Sequence, residues 1–292
     1  MTERKQIDEK NLEQILSLRL FQDRFMNTFF DDYIEGVQLV VRIVLGRDDF
    51  QVISVKTQAL LKNLQGRDVW LDIHAKSDTG EEFDVEIQRS SSGAGFKRAR
   101  YHSSMMDAHL LEPGDDFNKL PDTYVIFITE QDVIGENRPI YRVNRQIIDS
   151  SRPFADGSHI IYVNGANQDT STALGRLMHD FSCTKADDMF YPELAEKVRY
   201  LKETQEGREY MNDELEDWLD ARAEERAVAM AEAKAEAMAV AMAEAKAEAM
   251  AEAKAKETAL RMLADGLPLE KVVQYSGLSL EKVQELASKD IA

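Results

Sequence analysis

Two alternating runs joined by a turn dominate the hydrophobic pattern of this chain. Leu71, Ile73 and Ala75 alternate with Trp70, Asp72 and His74, and Phe83, Val85 and Ile87 alternate with Asp84, Glu86 and Gln88, the two-residue period of strands. Ser77-Asp-Thr-Gly80 between them is rich in turn formers, so an antiparallel hairpin is expected that brings Asp72 near Glu86. Upstream, residues 10–46 read as helical, with Leu12, Ile15, Leu16, Phe21, Phe25, Phe29 and Phe30 at roughly helical spacing and Gly36 marking a break. A short strand is expected over 51–56 and a helix over 93–111, ending near Pro113-Gly114. Residues 123–129 and 158–164 are continuous apolar runs of strand length, which suit strands buried on both faces. Helices follow at 172–180 and 191–204, so the pattern predicts a mixed α/β sheet covered by helices.

From Asn212 the texture changes. Residues 227–238 (Ala-Val-Ala-Met-Ala-Glu-Ala-Lys-Ala-Glu-Ala-Met) are repeated without a change at 239–250. Alanine at every second place has a strand period, but Ala, Glu, Lys and Met are strong helix formers, and one long helix is expected. Met230, Met238, Met242 and Met250 are spaced by eight, four and eight, so they drift around it and make no continuous seam. This favours a spacer helix or a weak coiled-coil arm over a strong zipper. The expected organisation is a folded domain over 1–204, the long Ala/Glu/Lys/Met-rich helix over 205–258 and a small helical tail over 259–292. The tail has a helix-turn-helix layout with Ser279 as a candidate cap, but its last helix carries Glu281, Lys282 and Glu285, a poor surface for phosphate.

Composition narrows the function. A net charge of −18 excludes a broad nucleic-acid-binding face, because duplex binding rests on neutralising phosphates, and any such binding must be local. Basic residues gather after the hairpin: Arg89, Lys97, Arg98 and Arg100, followed by Tyr101 and His102. The lone cysteine, Cys183, forms no internal disulfide, and no Cys/His cluster has zinc spacing. The N-terminus is charged without an apolar segment behind it, and the best apolar stretch, 37–45, is broken by Arg42. A cytoplasmic, soluble protein with no membrane partner is expected.

The hairpin carries the candidate chemistry. Phosphodiester hydrolysis at neutral pH needs an activated water and neutralisation of charge on the phosphorus oxygens, and bound Mg²⁺ supplies both with a few carboxylates as ligands. Asp72 and Glu86 would be those carboxylates, with the backbone carbonyl of Ile87 as a further oxygen. Gln88 lies two residues beyond Glu86, on the same strand face, where it would orient water or phosphate, and Asp84 shares that face as an outer ligand. Arg98 and Arg100 have two open readings, phosphate contacts or pairing with nearby acids. Asp23 is either a helix cap or an accessory active-site acid. His74 reads as a half-buried strand residue.

At these residues the chain resembles the PD-(D/E)XK nuclease superfamily, and within it the Rpn-like group of recombination-promoting nucleases and transposases. The resemblance rests on Leu71-Asp72-Ile73, Asp84-Val-Glu86-Ile-Gln88, Arg98-Ala-Arg100-Tyr101-His102 and, upstream, Asp23-Arg-Phe-Met-Asn-Thr-Phe. It implies a restriction-endonuclease-like fold, DNA as substrate, Mg²⁺ or Mn²⁺ as cofactor, and a place in the bacterial cytoplasm or nucleoid. The superfamily's two acidic positions fall on Asp72 and Glu86, and its usual lysine position falls on Gln88. Glutamine brings a dipole where lysine brings a charge, although ExQ is a pattern seen in this branch. The implied activity is metal-dependent DNA endonuclease, in recombination or mobile-element activity, with Asp72, Glu86 and Gln88 catalytic and Arg98, Arg100 and Tyr101 on the DNA. Duplex cleavage by one active site per chain would favour a homodimer. The alternative is a catalytically silent DNA- or protein-binding regulatory protein of the same fold.

Overall fold

The computed structural model describes residues 7–63 and 66–289. The N-terminal region forms α1 (Glu9–Ser17), α2 (Asp23–Phe30) and α3 (Ile34–Leu45). The expected break at Gly36 is not there: Gly36 lies inside α3, and the chain breaks instead at 18–22 and 31–33. Tyr33 explains the glycine, since a Cβ on Gly36 would lie 2.6 Å from its ring.

A six-stranded sheet follows, built from β1 (Val52–Leu61), β2 (Val69–Ser77), β3 (Glu82–Gln88), β4 (Thr123–Thr129), β5 (Ile140–Val143) and β8 (Ser158–Asn164). The strand order is β1-β2-β3-β4-β8-β5. β1, β2 and β3 pair antiparallel, β3, β4 and β8 pair parallel, and β5 closes the far edge antiparallel to β8. β1 is longer than expected. β5 and the two-residue strands β6 (Gln146–Ile147) and β7 (Arg152–Pro153), which pair with each other, are too short to show a strand pattern in the sequence.

The parallel step from β3 to β4 needs a crossover, and α4 (Phe96–Leu110) makes it. α4 covers one face of the sheet, where Ala99, Met105 and Met106 pack with Val69, Leu71, Val125, Phe127 and Tyr162. On the opposite face Ile73, Val85, Ile87, Ile126 and Val163 pack with α2, α3, α5 (Ala173–Ser182) and α6 (Pro192–Glu203). Phe21, Phe25, Phe29, Phe30 and Phe181 form its aromatic centre, and each buried ring contributes about 2–3 kcal/mol of apolar transfer. β4 lies between these two layers with every residue buried, as its unbroken apolar run predicts.

One departure from simple alternation shapes the site. Leu71 and Ile73 should share a face, yet Leu71 packs under α4 and Ile73 packs in the other layer. The neighbouring strand switches with it, as Val55 belongs to one layer and Ala59 to the other. Between them Gln58 has a φ of +49°, a left-handed conformation rare for a side chain without special cause. Asp72 sits at this switch.

The chain divides into two compact units, residues 1–219 and 220–292. α7 (Gln205–Ala264) is one continuous helix, so the alanine-rich repeat is helical as expected. In the second unit Ala259, α8 (Leu269–Ser276) and α9 (Leu280–Lys289) build a small core with Val272, Leu278 and Val283, and Ser279 Oγ accepts from the Lys282 amide at 3.4 Å. Among the described residues no helix is long and apolar enough to cross a membrane.

Candidate active site

The β2–β3 ladder stops at Ile73↔Val85. Beyond it the two strands are bridged by side chains instead of by main-chain pairs. The Asp72 amide donates to Glu86 Oε1 at 3.0 Å, and the Ile87 amide donates to Asp72 Oδ2 at 3.2 Å. Each acid thus takes the hydrogen bond that the opposite strand would have taken. Successive residues of a strand point their N–H and C=O to alternate sides, so the Ile87 carbonyl faces the same gap as its amide. Gln88 Nε2 donates to Asp72 Oδ2 at 3.4 Å, and Gln58 Nε2 donates to Asp72 Oδ1 at 3.5 Å and to Asn27 Oδ1 at 3.0 Å. Gly93 leaves room for Gln88, since a Cβ there would lie 2.0 Å from Gln88 Oε1.

Asp84 and Glu86 are fully buried on the α4 side. Arg98 Nη2 donates to Glu86 Oε2 at 2.8 Å, and Arg98 Nε donates to His102 Nε2 at 3.2 Å. A guanidinium only donates, so His102 Nε2 accepts and the ring proton of the neutral imidazole sits on Nδ1. That proton faces Asp84 Oδ2 at 2.9 Å. Burial holds His102 below its ordinary pKa, which keeps it neutral. Asp84 Oδ1 is buried with no partner among the described residues.

These acids are far from their ordinary titration range. Burial, and then the neighbouring Glu86, raise Asp72 to about 7, with Asp23 adding to the repulsion. Burial, and then Asp84, raise Glu86 to about 8. Burial raises Asp84 as well. Fully ionised, three carboxylates against one guanidinium leave a net charge of −2, which one divalent cation would cancel. The acids offer hard oxygens and both nitrogens of His102 are already engaged, so the residues fit a hard divalent cation.

The other sequence candidates fall around this centre. Asp23 is the first residue of α2, following Gln22 at the N-cap, and its charge reaches Asp72. Arg100 is exposed on α4 and lines a cleft with Arg67, Lys97 and Tyr101. Tyr101 is tied down, donating to the Arg67 carbonyl at 2.6 Å and accepting from Asn63 Nδ2 at 2.9 Å. His74 and Lys76 both bind Glu82, at 2.8 and 3.1 Å. His102 was legible only as the end of a basic run; its i, i+4 spacing from Arg98, which stacks the two on one helix face, was the available signal.

A family model described as PD-(D/E)XK nuclease family transposase matches residues 44–265, a span that contains the parted strands and every member of the acid cluster. The chain belongs to this family. Members of the PD-(D/E)XK nuclease family act on DNA and typically use divalent metals, which agrees with the oxygen-rich site. The mixed six-stranded sheet flanked by helices, with its long C-terminal helix, is consistent with the PD-(D/E)XK fold. α1 and α2, and with them Asp23, precede the matched residues. No curated protein and no solved structure matches the chain.

Proposed function

We propose that this chain is a Mg²⁺-dependent DNA endonuclease, able to use Mn²⁺ in its place, that hydrolyses phosphodiester bonds in recombination or mobile-element activity. The observation that carries the reading is the reciprocal bridge between Asp72 and Glu86 where β2 and β3 part, which concentrates buried negative charge at one spot. Asp72, Glu86 and the Ile87 carbonyl would hold the cation, with Asp84 behind Glu86 and Asp23 as an accessory acid. When bound, the ion supplies an activated water and neutralises charge at phosphorus. Gln88 holds the carboxylate of Asp72 by its amide, with room left for it by the lack of a side chain at Gly93, and would orient water or a phosphate oxygen. Arg100, Lys97 and Arg67 line the cleft beside α4 and would carry the DNA backbone, with Tyr101 fixing the cleft wall.

Supercoiled-plasmid cleavage at low salt tests this, because weak phosphate contacts are lost as salt rises. Nicking or linearisation is expected with Mg²⁺ and should vanish with EDTA and in Glu86→Gln. Linearisation without accumulated nicked circle would indicate a homodimer cutting both strands. Absence of cleavage with any divalent metal, from folded protein, would leave the catalytically silent binding protein, a reading that the neutral Gln88 favours.

A further inference from the structure

Hydrolysis of a phosphodiester passes through a state of greater negative charge on the non-bridging oxygens. A water oxygen forms a bond to phosphorus and loses a proton to solvent. The bond from phosphorus to the leaving sugar oxygen breaks with its electron pair, and that oxygen regains a proton from solvent. A fixed cation at those oxygens lowers the barrier, and Gln88 is neutral. Two cations of the hairpin and its end are committed elsewhere: Lys76 binds Glu82, and Arg89 binds Glu130 at 3.3 Å. Arg98 is different. Its Nε and one N–H of Nη2 are spent on His102 and Glu86, which orients the guanidinium plane from two sides. Three of its five N–H bonds have no partner among the described residues, and its side chain, in contact with Glu86, is 40% exposed in the cleft that it lines with Arg67, Lys97 and Arg100.

We propose that Arg98 is a catalytic residue of this site: held by Glu86 and by the His102–Asp84 pair, it presents its free N–H groups to the scissile phosphate and supplies the positive charge that Gln88 lacks. His102 acts through it as a positioning residue, because the proton on Nδ1 leaves Nε2 as the acceptor that sets the tilt of the guanidinium. The inference rests on the nuclease reading above, and it assigns to Arg98 a transition-state role, distinct from the backbone contacts of Arg100 and Lys97.

The test is single-turnover and steady-state cleavage by Arg98→Gln, Arg98→Lys and the double variant Arg98→Gln/Gln88→Lys, with DNA binding measured in Ca²⁺. Arg98→Gln should lose about 100-fold or more in kcat, the scale of removing one transition-state donor, with KM and DNA affinity little changed. Gln88→Lys in that background should restore at least about tenfold of the loss, because the charge returns from the strand side. Should Arg98→Gln fail to fold, Arg98→Lys keeps the ion pair with Glu86 but has no fork to share between Glu86, His102 and phosphate, and the same kcat-selective loss is expected. An Arg98→Gln enzyme with wild-type kcat, or one whose loss lies wholly in KM and affinity, overturns the proposal while leaving the nuclease reading intact. A wild-type protein that cuts no DNA overturns both.

Discussion

Replacing Asp72 by asparagine should stabilise the metal-free protein at alkaline pH and cost it the metal. Asn keeps the shape of the side chain: its carbonyl oxygen can accept from Ile87 and Gln88 as Asp72 Oδ2 does, and Gln58 can turn its own amide to accept from the new NH₂. What disappears is a charge. In the fold Asp72 titrates at about 7 against an ordinary 3.8, because burial and then the Glu86 charge oppose ionisation. A carboxyl raised in this way gives its stabilising contribution in full below the unfolded-state value and loses it as pH rises through the folded-state value. Between about pH 4 and pH 8 the loss amounts to about 4 kcal/mol, at roughly 1.4 kcal/mol per tenfold change in proton affinity. For a folded unit of this size that corresponds to roughly 10 °C in Tm. Melting of wild type and Asp72→Asn in EDTA should therefore give similar values near pH 4 and a more stable variant near pH 8. Added Mg²⁺ should raise the Tm of wild type at pH 8 and leave that of the variant nearly unmoved. A variant that melts at or below wild type at pH 8 in EDTA would refute the argument that Asp72 is held ionised against its surroundings.

Three further outcomes follow from local geometry. Gly93→Ala puts a Cβ 2.0 Å from Gln88 Oε1, so Gln88 must leave Asp72; cleavage should fall about tenfold or more while stability falls only about 1–3 kcal/mol, and unchanged kcat would show that Gln88 needs no fixed position. Buried Asp180 accepts the amides of Phe190 at 2.8 Å and Tyr191 at 2.9 Å, so Asp180→Ala orphans two N–H groups and should cost about 2–5 kcal/mol in urea denaturation; a cost under about 1 kcal/mol would mean that water replaces the carboxylate. Deleting residues 239–250 removes one copy of the repeat, whose side chains are all exposed, so the Tm of the first unit should stay within about 2 °C; a larger shift would show that the repeat supports that unit.

The hairpin was legible because a strand's period of two is written in neighbouring residues. Asp72 opposite Glu86 follows from that period and the turn; the apolar run of β4 announces a strand buried throughout, and that of β8 one buried from Ile161 onward. Gly36 misled for a physical reason: glycine marks either a break or a close approach, and here the ring of Tyr33 takes the space. β5 escaped notice because a four-residue edge strand, none of it fully buried, needs no alternating pattern.

By itself the sequence determined the strands, the long helix and the carboxylates that face the β2–β3 gap, since each depends on residues close together in the chain. Only the tertiary structure decided how those carboxylates are held. The face switch at Leu71 and Ile73 needs Gln58 in a left-handed conformation on a different strand, and a glutamine does not advertise one. The chain of Arg98, His102, Asp84 and Glu86 exists because α4 crosses back over β3 on its way to β4, and the burial that raises the acids comes from that crossing. Helix propensity says where α4 forms, but the parallel register of β3 and β4 decides which of its residues meet the acids.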